Sequence, residues 1–394
     1  TVDYLLFYIR PGTDIWVVCA MIFFYLLAPR PTPNDSVWWA FMLNNKNMLI
    51  WIPFTWRLFR GFFHWILSHV ILPGPILYNE GPLVKFYPKF LVKSVEESFA
   101  YREYGRARIV HAGGIPISLL TPDGVLLDAM YFKGQGTDVT SPTVIRFNGN
   151  AEAYELQDDV LPRNYTANGI NIILFNYRGV GRSRWQPVFK SDLAGWLIGF
   201  WRTPTIIGTF LDTCTLVEYA TKTLGVEPTQ LVLLGHSIGG AIATQFAARN
   251  PSVPLVLCSS RSFANLVGVA VRLAPSYFGI PPGSPKAIWM KRFAYIFLNL
   301  AGWEYDSVGN WKKVTGFKWI EYSSADHIIP YELSLHAVLK AELDSQGGAT
   351  PENMRVISLI DISGMDNHNR LLFDTEMVQH LEMVLASTKV IKEV

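Results

Sequence analysis

The sequence predicts an α/β fold in which a mainly parallel central sheet is flanked by helices, with a helical lid and a hydrophobic N-terminal helical region. Three observations predict it. From about residue 101 onward, short apolar runs separated by turn residues alternate with longer helical patterns, the rhythm of strands joined by crossover helices. One such run, Leu231-Val-Leu-Leu, leads directly into Gly235-His-Ser-Ile-Gly239 and then into a helical pattern opened by small residues. Ahead of these, the chain is apolar and crowded with tryptophan, six of the 13 lying between Trp16 and Trp65.

Composition sets the bounds. Of 394 residues, 50% are hydrophobic and 17% charged, enough apolar side chain for a large core and far from a disordered chain. The net charge of +2 arises from 34 basic and 32 acidic residues scattered without a basic block, so nucleic acid is not an expected partner. Cys19, Cys214 and Cys258 lie far apart with no C-x-x-C pair, which suggests neither a disulfide framework nor a metal site, and no cofactor is expected.

Residues 1–100 read as a membrane-associating region and residues 101–394 as a catalytic domain. Between Tyr4 and Leu72 the only acids are Asp14 and Asp35, against Arg10, Arg30, Lys46, Arg57 and Arg60, and tryptophans beside cations suit a lipid interface. The longest apolar run, 15–28, is shorter than the roughly 20 residues that cross a bilayer core. Between residues 56 and 72, Arg57, Arg60, His64 and Ser68 recur at steps of three or four, so a helix there carries one narrow polar stripe. A membrane lipid surface is therefore an expected partner. A cleaved signal peptide fits poorly, because Pro29, Arg30, Pro31 and Pro33 follow the apolar run.

In the second part, residues 115–120 and 125–132 flank Thr121-Pro-Asp-Gly124 and predict a β-hairpin. The runs 143–147, 170–175, 230–234, 255–258, 317–322 and 356–360 predict buried strands. Residues 210–224 and 238–249 predict helices, the second closed by Asn250-Pro251. The segment 264–311, rich in aromatics and prolines, interrupts this rhythm and is the expected lid, a device that often gates apolar substrates.

A serine flanked by glycines between an apolar strand and a helix has the form of a nucleophile elbow. Glycine is needed there because the serine occupies a sharp, strained turn in which neighbouring β-carbons would clash. A serine hydroxyl attacks only when a base takes its proton, so a histidine held by a carboxylate is required downstream. Asp326, in the loop Ser323-Ser-Ala-Asp326-His327 after the run ending at residue 322, is the expected acid. Its other possible role is to cap the helix around 331–339, and Asp361 and Asp366 are weaker alternatives that crowd the histidine loop. His368, in Ser363-Gly-Met-Asp-Asn-His368, is the expected base. His236 lies inside the elbow, His327 adjoins the acid, His336 and His380 fall on helices, His64 and His69 belong to the N-terminal region, and His111 precedes the sheet. The oxyanion donors expected are the backbone N–H of Ile238 and of Asn150, with Gly149 letting the backbone turn inward. Asn176-Tyr-Arg-Gly-Val-Gly-Arg-Ser183 lacks phosphate-loop spacing and predicts an arginine-glycine turn beside the site.

Phe147-Asn-Gly-Asn150, Asn176 to Ser183 and Gly235-His-Ser-Ile-Gly239 together resemble the α/β-hydrolase superfamily, from about residue 107 to the C-terminus. Within it they resemble the CHLPS-protein family named from Chlamydia and related membrane-associated hydrolases with an H-G-N-A oxyanion loop. The resemblance implies an α/β-hydrolase fold and Ser-His-Asp esterase, lipase, thioesterase or peptidase-like chemistry on Ser237, His368 and Asp326. Asn148 stands where the common H-G loop has histidine, which raises the question of what anchors the loop. Serine at the nucleophile position departs from the dehalogenases and epoxide hydrolases of this fold, which use aspartate. The expected activity is a membrane-associated serine hydrolase acting on an apolar acyl ester or acyl thioester. The alternatives are an inert scaffold of the same fold and an amidase or peptidase using the same three residues.

Overall fold

The computed structural model describes residues 89–138, 140–157, 159–185, 204–277 and 279–390, with Leu67 and Ile71. The expectations for the apolar run at 15–28 and, those two residues apart, for the striped helix at 56–72 lie outside the described residues. No helix among the described residues is long and apolar enough to cross a membrane.

Helix α1 (Lys89–His111) carries Arg108 and His111 in its last turn, where the helix dipole favours positive charge, and stops at Gly113, whose φ of 97° no L side chain adopts readily. Strands β1 (Ile115–Leu120) and β2 (Val125–Phe132) form the expected antiparallel hairpin. Its turn is closed by the Gly124 N–H donating to the Thr121 carbonyl at 2.9 Å.

The sheet then runs through β3 (Thr143–Phe147), β4 (Asn171–Phe175), a two-residue β5 (Arg184–Trp185), β6 (Leu231–His236), β7 (Val256–Ser260), β8 (Lys318–Tyr322) and β9 (Met354–Ser358). Its spatial order is β1-β2-β4-β3-β6-β7-β8-β9, with β5 beside β2. From β4 to β9 the neighbours are parallel, and β2 joins β1, β4 and β5 antiparallel. Parallel neighbours need crossovers, supplied among others by α2 (Val160–Ala167), α3 (Ile206–Glu218), α4 (Ile238–Arg249) and α8 (Leu335–Ser345), while α9 (Asp374–Val390) follows the last strand. With helices on both faces, β4 and β7 are buried along their whole length, which is why apolar runs, Ile172–Phe175 and Val256–Cys258, make up most of each.

One face of the sheet offers Val144, Ile172, Leu174, Val232, Leu234, Val256 and Trp319 to Tyr165 of α2 and to Met377, Leu381 and Val384 of α9. Helix α4 packs on β6 and β7, alongside α3. Between β7 and β8 the segment expected as a lid forms α5 (Leu266–Tyr277), α6 (Pro285–Ala301) and α7 (Ser307–Trp311). Its two ends are tied together, Leu266 N–H donating to Tyr305 O at 3.1 Å and Ser307 N–H to Ala264 O at 2.9 Å.

Several boundaries differ from expectation, β9 lying two residues earlier than the expected run at 356–360. The helix expected over 210–224 begins at Ile206, because the Thr205 hydroxyl accepts the Gly208 N–H and caps it there, and it passes into a π-turn over Tyr219–Thr223. Strands β6 and β7 extend two residues past the expected apolar runs, to His236 and Ser260, since sheet pairing continues where the side chains turn polar at the strand ends.

Candidate active site

Strand β6 ends at His236 and α4 starts at Ile238, leaving Ser237 alone at the turn with φ 54° and ψ −123°. A residue with a β-carbon held there stores about 1–3 kcal/mol of strain. The surroundings enforce it: a β-carbon on Gly235 would lie 2.3 Å from Gly239 O, and one on Gly239 would lie 2.4 Å from Phe147 O. The Ser237 N–H donates to Ser260 O at 2.9 Å, fastening the turn to the next strand.

The three side chains expected to act together meet. His368 Nε2 lies 3.0 Å from Ser237 Oγ across 131 residues of sequence, and His368 Nδ1 lies 2.6 Å from Asp326 Oδ2 across 42. Asp326 does not cap the following helix, which Ser334 caps by accepting the Ala337 N–H; its Oδ1 accepts the N–H groups of Ile328 and Ile329 in its own loop at 2.9 and 2.8 Å while Oδ2 faces the imidazole. The alternative acids are engaged elsewhere. Asp361 accepts from the hydroxyls of Ser323 and Ser324, and Asp366 accepts the N–H groups of His368 and Asn369 at 3.1 and 3.0 Å, shaping the histidine's turn instead of facing its ring.

Arg261 was not singled out by the sequence, yet it braces that loop. It directly follows the last residue of β7, sits at a left-handed φ of 49°, and its Nη1 donates to the carbonyls of Arg370 at 2.8 Å and Asn367 at 3.4 Å, on either side of His368. Arg370 in turn grips Glu376 with two nitrogens at 2.6 and 2.7 Å, so the loop is tied to α9 as well.

The loop after β3 is anchored without the usual histidine. Asn148 donates to Phe175 O at 2.8 Å, accepts from Arg146 and Gln157 at 2.8 and 2.9 Å, and offers its carbonyl to the Tyr177 hydroxyl at 2.9 Å. The inward turn, however, falls to Ala151, at φ 57°, and not to Gly149. Glycine is needed at 149 for close approach: a β-carbon there would lie 2.9 Å from Cδ2 of His236. The Asn150 and Ile238 N–H groups donate to no protein acceptor among the described residues. The arginine-glycine turn forms as expected, Arg178 being buried between Asp212 at 2.7 Å and Asp123 at 2.6 Å.

His236 directs its ring toward that of His368, 5.0 Å between centroids. Burial pushes its imidazole well below the ordinary value, and Arg261, His368 and Arg146 push it the same way, so it is neutral at physiological pH. A cavity of about 540 Å³ opens beside it, lined among others by Gly149, Asn150, Ala151, Arg261 and Asn369.

Beneath the same edge lies a cluster that the sequence scatters over β7, β8 and α9. Cys258, Glu321 and His380 bring their polar atoms within 4.8 Å of one another, all buried. They are potential metal ligands, but the His380 nitrogens are taken up by Glu321 and by the Tyr165 hydroxyl, and Trp319 Nε1 donates to Glu321 at 3.1 Å. Burial alone pushes the Glu321 carboxyl up, but attraction to His380 and the hydrogen bonds of His380, Trp319 and Ser260 outweigh it and hold it at about 2.

Residues 142–280 match the family described as alpha/beta hydrolase fold. With the strand order and the elbow, this match defines an α/β-hydrolase fold and supports a hydrolase of that superfamily. Among curated proteins, the chain is 26% identical over 150 residues to protein bem46 of Schizosaccharomyces pombe, covering 38% of this chain and 44% of that one. It is 28% identical over 174 residues to the phosphatidylserine lipase ABHD16A of Macaca fascicularis, covering 43% of this chain and 27% of that one. The chain thus matches less than half the length of each. Among solved structures, an alpha-beta hydrolase from Vibrio vulnificus is similar with a TM-score of 0.49 at 16% identity, over 82% of this chain and 92% of that one.

Proposed function

We propose that the protein is a membrane-associated serine hydrolase that cleaves the ester or thioester of an apolar acyl group through an acyl-enzyme on Ser237. The observation that carries this reading is the hydrogen-bonded chain Asp326–His368–Ser237 ending at the strained elbow. In the proposed cycle, His368 Nε2 takes the hydroxyl proton as Ser237 Oγ bonds to the carbonyl carbon, while Asp326 holds the ring and stabilises its positive form. The N–H groups of Ile238 and Asn150 receive the oxyanion, a contribution of about 3 kcal/mol per donor to the barrier. Collapse breaks the bond to the alcohol or thiol, which takes the proton from His368. A water then gives a proton to His368, attacks the acyl carbon and releases the acid, and the proton returns to Ser237.

Membrane association is supported by the tryptophan-rich, acid-poor composition of residues 1–100. An apolar acyl substrate is supported by the aromatic helices between β7 and β8, read as a lid, and by one relative's name as a lipase of phosphatidylserine. The likeness of Phe147-Asn-Gly-Asn150 to the H-G-N-A loops of membrane-associated hydrolases and to CHLPS proteins supports the Ser-His-Asp chemistry and the membrane association, and implies no substrate. Turnover of p-nitrophenyl esters and acyl thioesters of increasing chain length tests the reading. Wild type is expected to prefer medium or long acyl groups, and Ser237→Ala to fall to background with an unchanged circular dichroism spectrum. Full turnover by Ser237→Ala would overturn the nucleophile, and a preference for acetyl would overturn the apolar acyl group.

A further inference from the structure

Helix α6 is a complete element by its own signals. The Ser284 hydroxyl accepts the Ala287 N–H, Pro285 opens the first turn, and Gly302 closes the helix at φ 74°. One side carries Ala287, Leu298 and Ala301, all buried, in a helix that packs on α5. The other side is the reverse of what water favours. Trp289, Phe293, Ile296 and Leu300 recur at steps of four and three, which stacks them in one stripe, and they are 69, 63, 57 and 44% exposed. Ile288 and Tyr295 flank the stripe, also exposed. Contiguous aromatic and aliphatic surface of this kind marks an interaction site.

Its charge says what the partner is. The helix sequence, PKAIWMKRFAYIFLNLA, contains Lys286, Lys291 and Arg292 and no acid. The Arg292 guanidinium lies 5.9 Å from the centre of the Trp289 ring, so cation and aromatic form one unit at the rim of the stripe. A protein groove would need acids to meet those cations at fixed points, whereas a leaflet with anionic headgroups meets them anywhere while its acyl region takes the stripe. Tryptophan and tyrosine with cations at the rim of an aliphatic stripe is the composition of a helix lying in a membrane interface.

We propose that the exposed face of α6 docks on an anionic phospholipid surface. The proposal deepens the functional reading above by naming the element that meets the lipid and the lipid's charge, and it rests on that reading only for its consequence, delivery of an acyl substrate to Ser237. The segment leaves the sheet after Ser260, at the strand edge that carries Ser237, a placement suited to receiving that substrate from the surface.

The test uses the full chain with Ser237→Ala, so that vesicle lipid is not consumed, and with Cys19→Ser and Cys214→Ser. An environment-sensitive dye is placed at Phe293→Cys or, as control, at Glu227→Cys, exposed just before β6 at the opposite end of the strands. With phosphatidylcholine vesicles containing one-third phosphatidylglycerol, the dye at 293 is expected to shift to the blue and to be quenched by doxyl lipids, and the dye at 227 to stay in water. Changing Lys286 and Arg292, the exposed cations that border the stripe, together to glutamate is expected to weaken partitioning by about 25-fold or more, since each cation near such a surface contributes roughly fivefold. Cosedimentation with the dye at 293 still in water would overturn the assignment to α6 while leaving membrane association intact. A dye at 293 already buried before vesicles are added would mean that protein covers the stripe, and would overturn it too. No cosedimentation with any vesicle would overturn both the α6 assignment and membrane association, and none of these three results touches the chemistry at Ser237.

Discussion

Two hydrogen-bonded chains of carboxylate, imidazole and hydroxyl run through this molecule. In one, Asp326, His368 and Ser237 are joined at 2.6 and 3.0 Å. In the other, Glu321 meets Nδ1 of His380, whose Nε2 lies 2.5 Å from the Tyr165 hydroxyl. On connectivity alone they are equivalent. They differ in what surrounds the hydroxyl. Tyr165 lies within α2 among core side chains, its phenol pushed well above its ordinary value by burial and by Glu321. Ser237 sits at φ 54°, directly before the unengaged N–H of Ile238. A chain of hydrogen bonds therefore does not distinguish a reactive group from a clamp. The backbone around the hydroxyl does, through strain that presents it and N–H donors that receive developing charge.

The contrast breaks first on activity. Ser237→Ala should lower kcat by about 10⁴-fold or more, whereas Tyr165→Phe should leave kcat within about threefold on the same ester; a comparable loss in Tyr165→Phe would erase the distinction. Next comes folding. Gly235→Ala sets a β-carbon against backbone atoms that have no room to give, and urea denaturation should show a loss of about 4 kcal/mol or more.

Glu321→Gln sharpens the second chain's structural role, with an expected loss of about 3 kcal/mol at neutral pH for breaking a buried pair. The sign with pH is fixed. The folded-state value of about 2 lies below the ordinary 4.5, so the stabilisation is fully present above about pH 4.5 and is lost as pH falls toward 2. The stability gap between wild type and Glu321→Gln should narrow over that window, read from urea midpoints at successive pH values. The smallest effect belongs to the brace. Arg261→Met frees the loop that carries His368, and kcat should fall about tenfold with KM little changed, while thermal denaturation and fluorescence report an intact fold.

The strand rhythm, the elbow and the order of serine, acid and histidine were legible because each is local: a run of apolar residues, a glycine spacing, a carboxylate or imidazole just past a strand. What was not legible depends on contacts between distant segments. Arg261 sits two dozen positions past the elbow in an unremarkable serine-rich stretch, and only the meeting of β7 with the 367–370 loop gives it a task. His380 read as a helix residue because its partners, Glu321 and Tyr165, are 59 and 215 positions away. The left-handed turn after β3 was expected at Gly149 on residue type, but it falls on Ala151, and the glycine serves His236 instead.

The most direct test of the central claim is labelling of the folded protein by a fluorophosphonate, with the adduct mapped by mass spectrometry. A single adduct on Ser237, absent in Ser237→Ala, strongly reduced in His368→Ala and undiminished in Tyr165→Phe, is the predicted result. An adduct on another residue, or folded wild type that takes up no label with or without detergent, would contradict it.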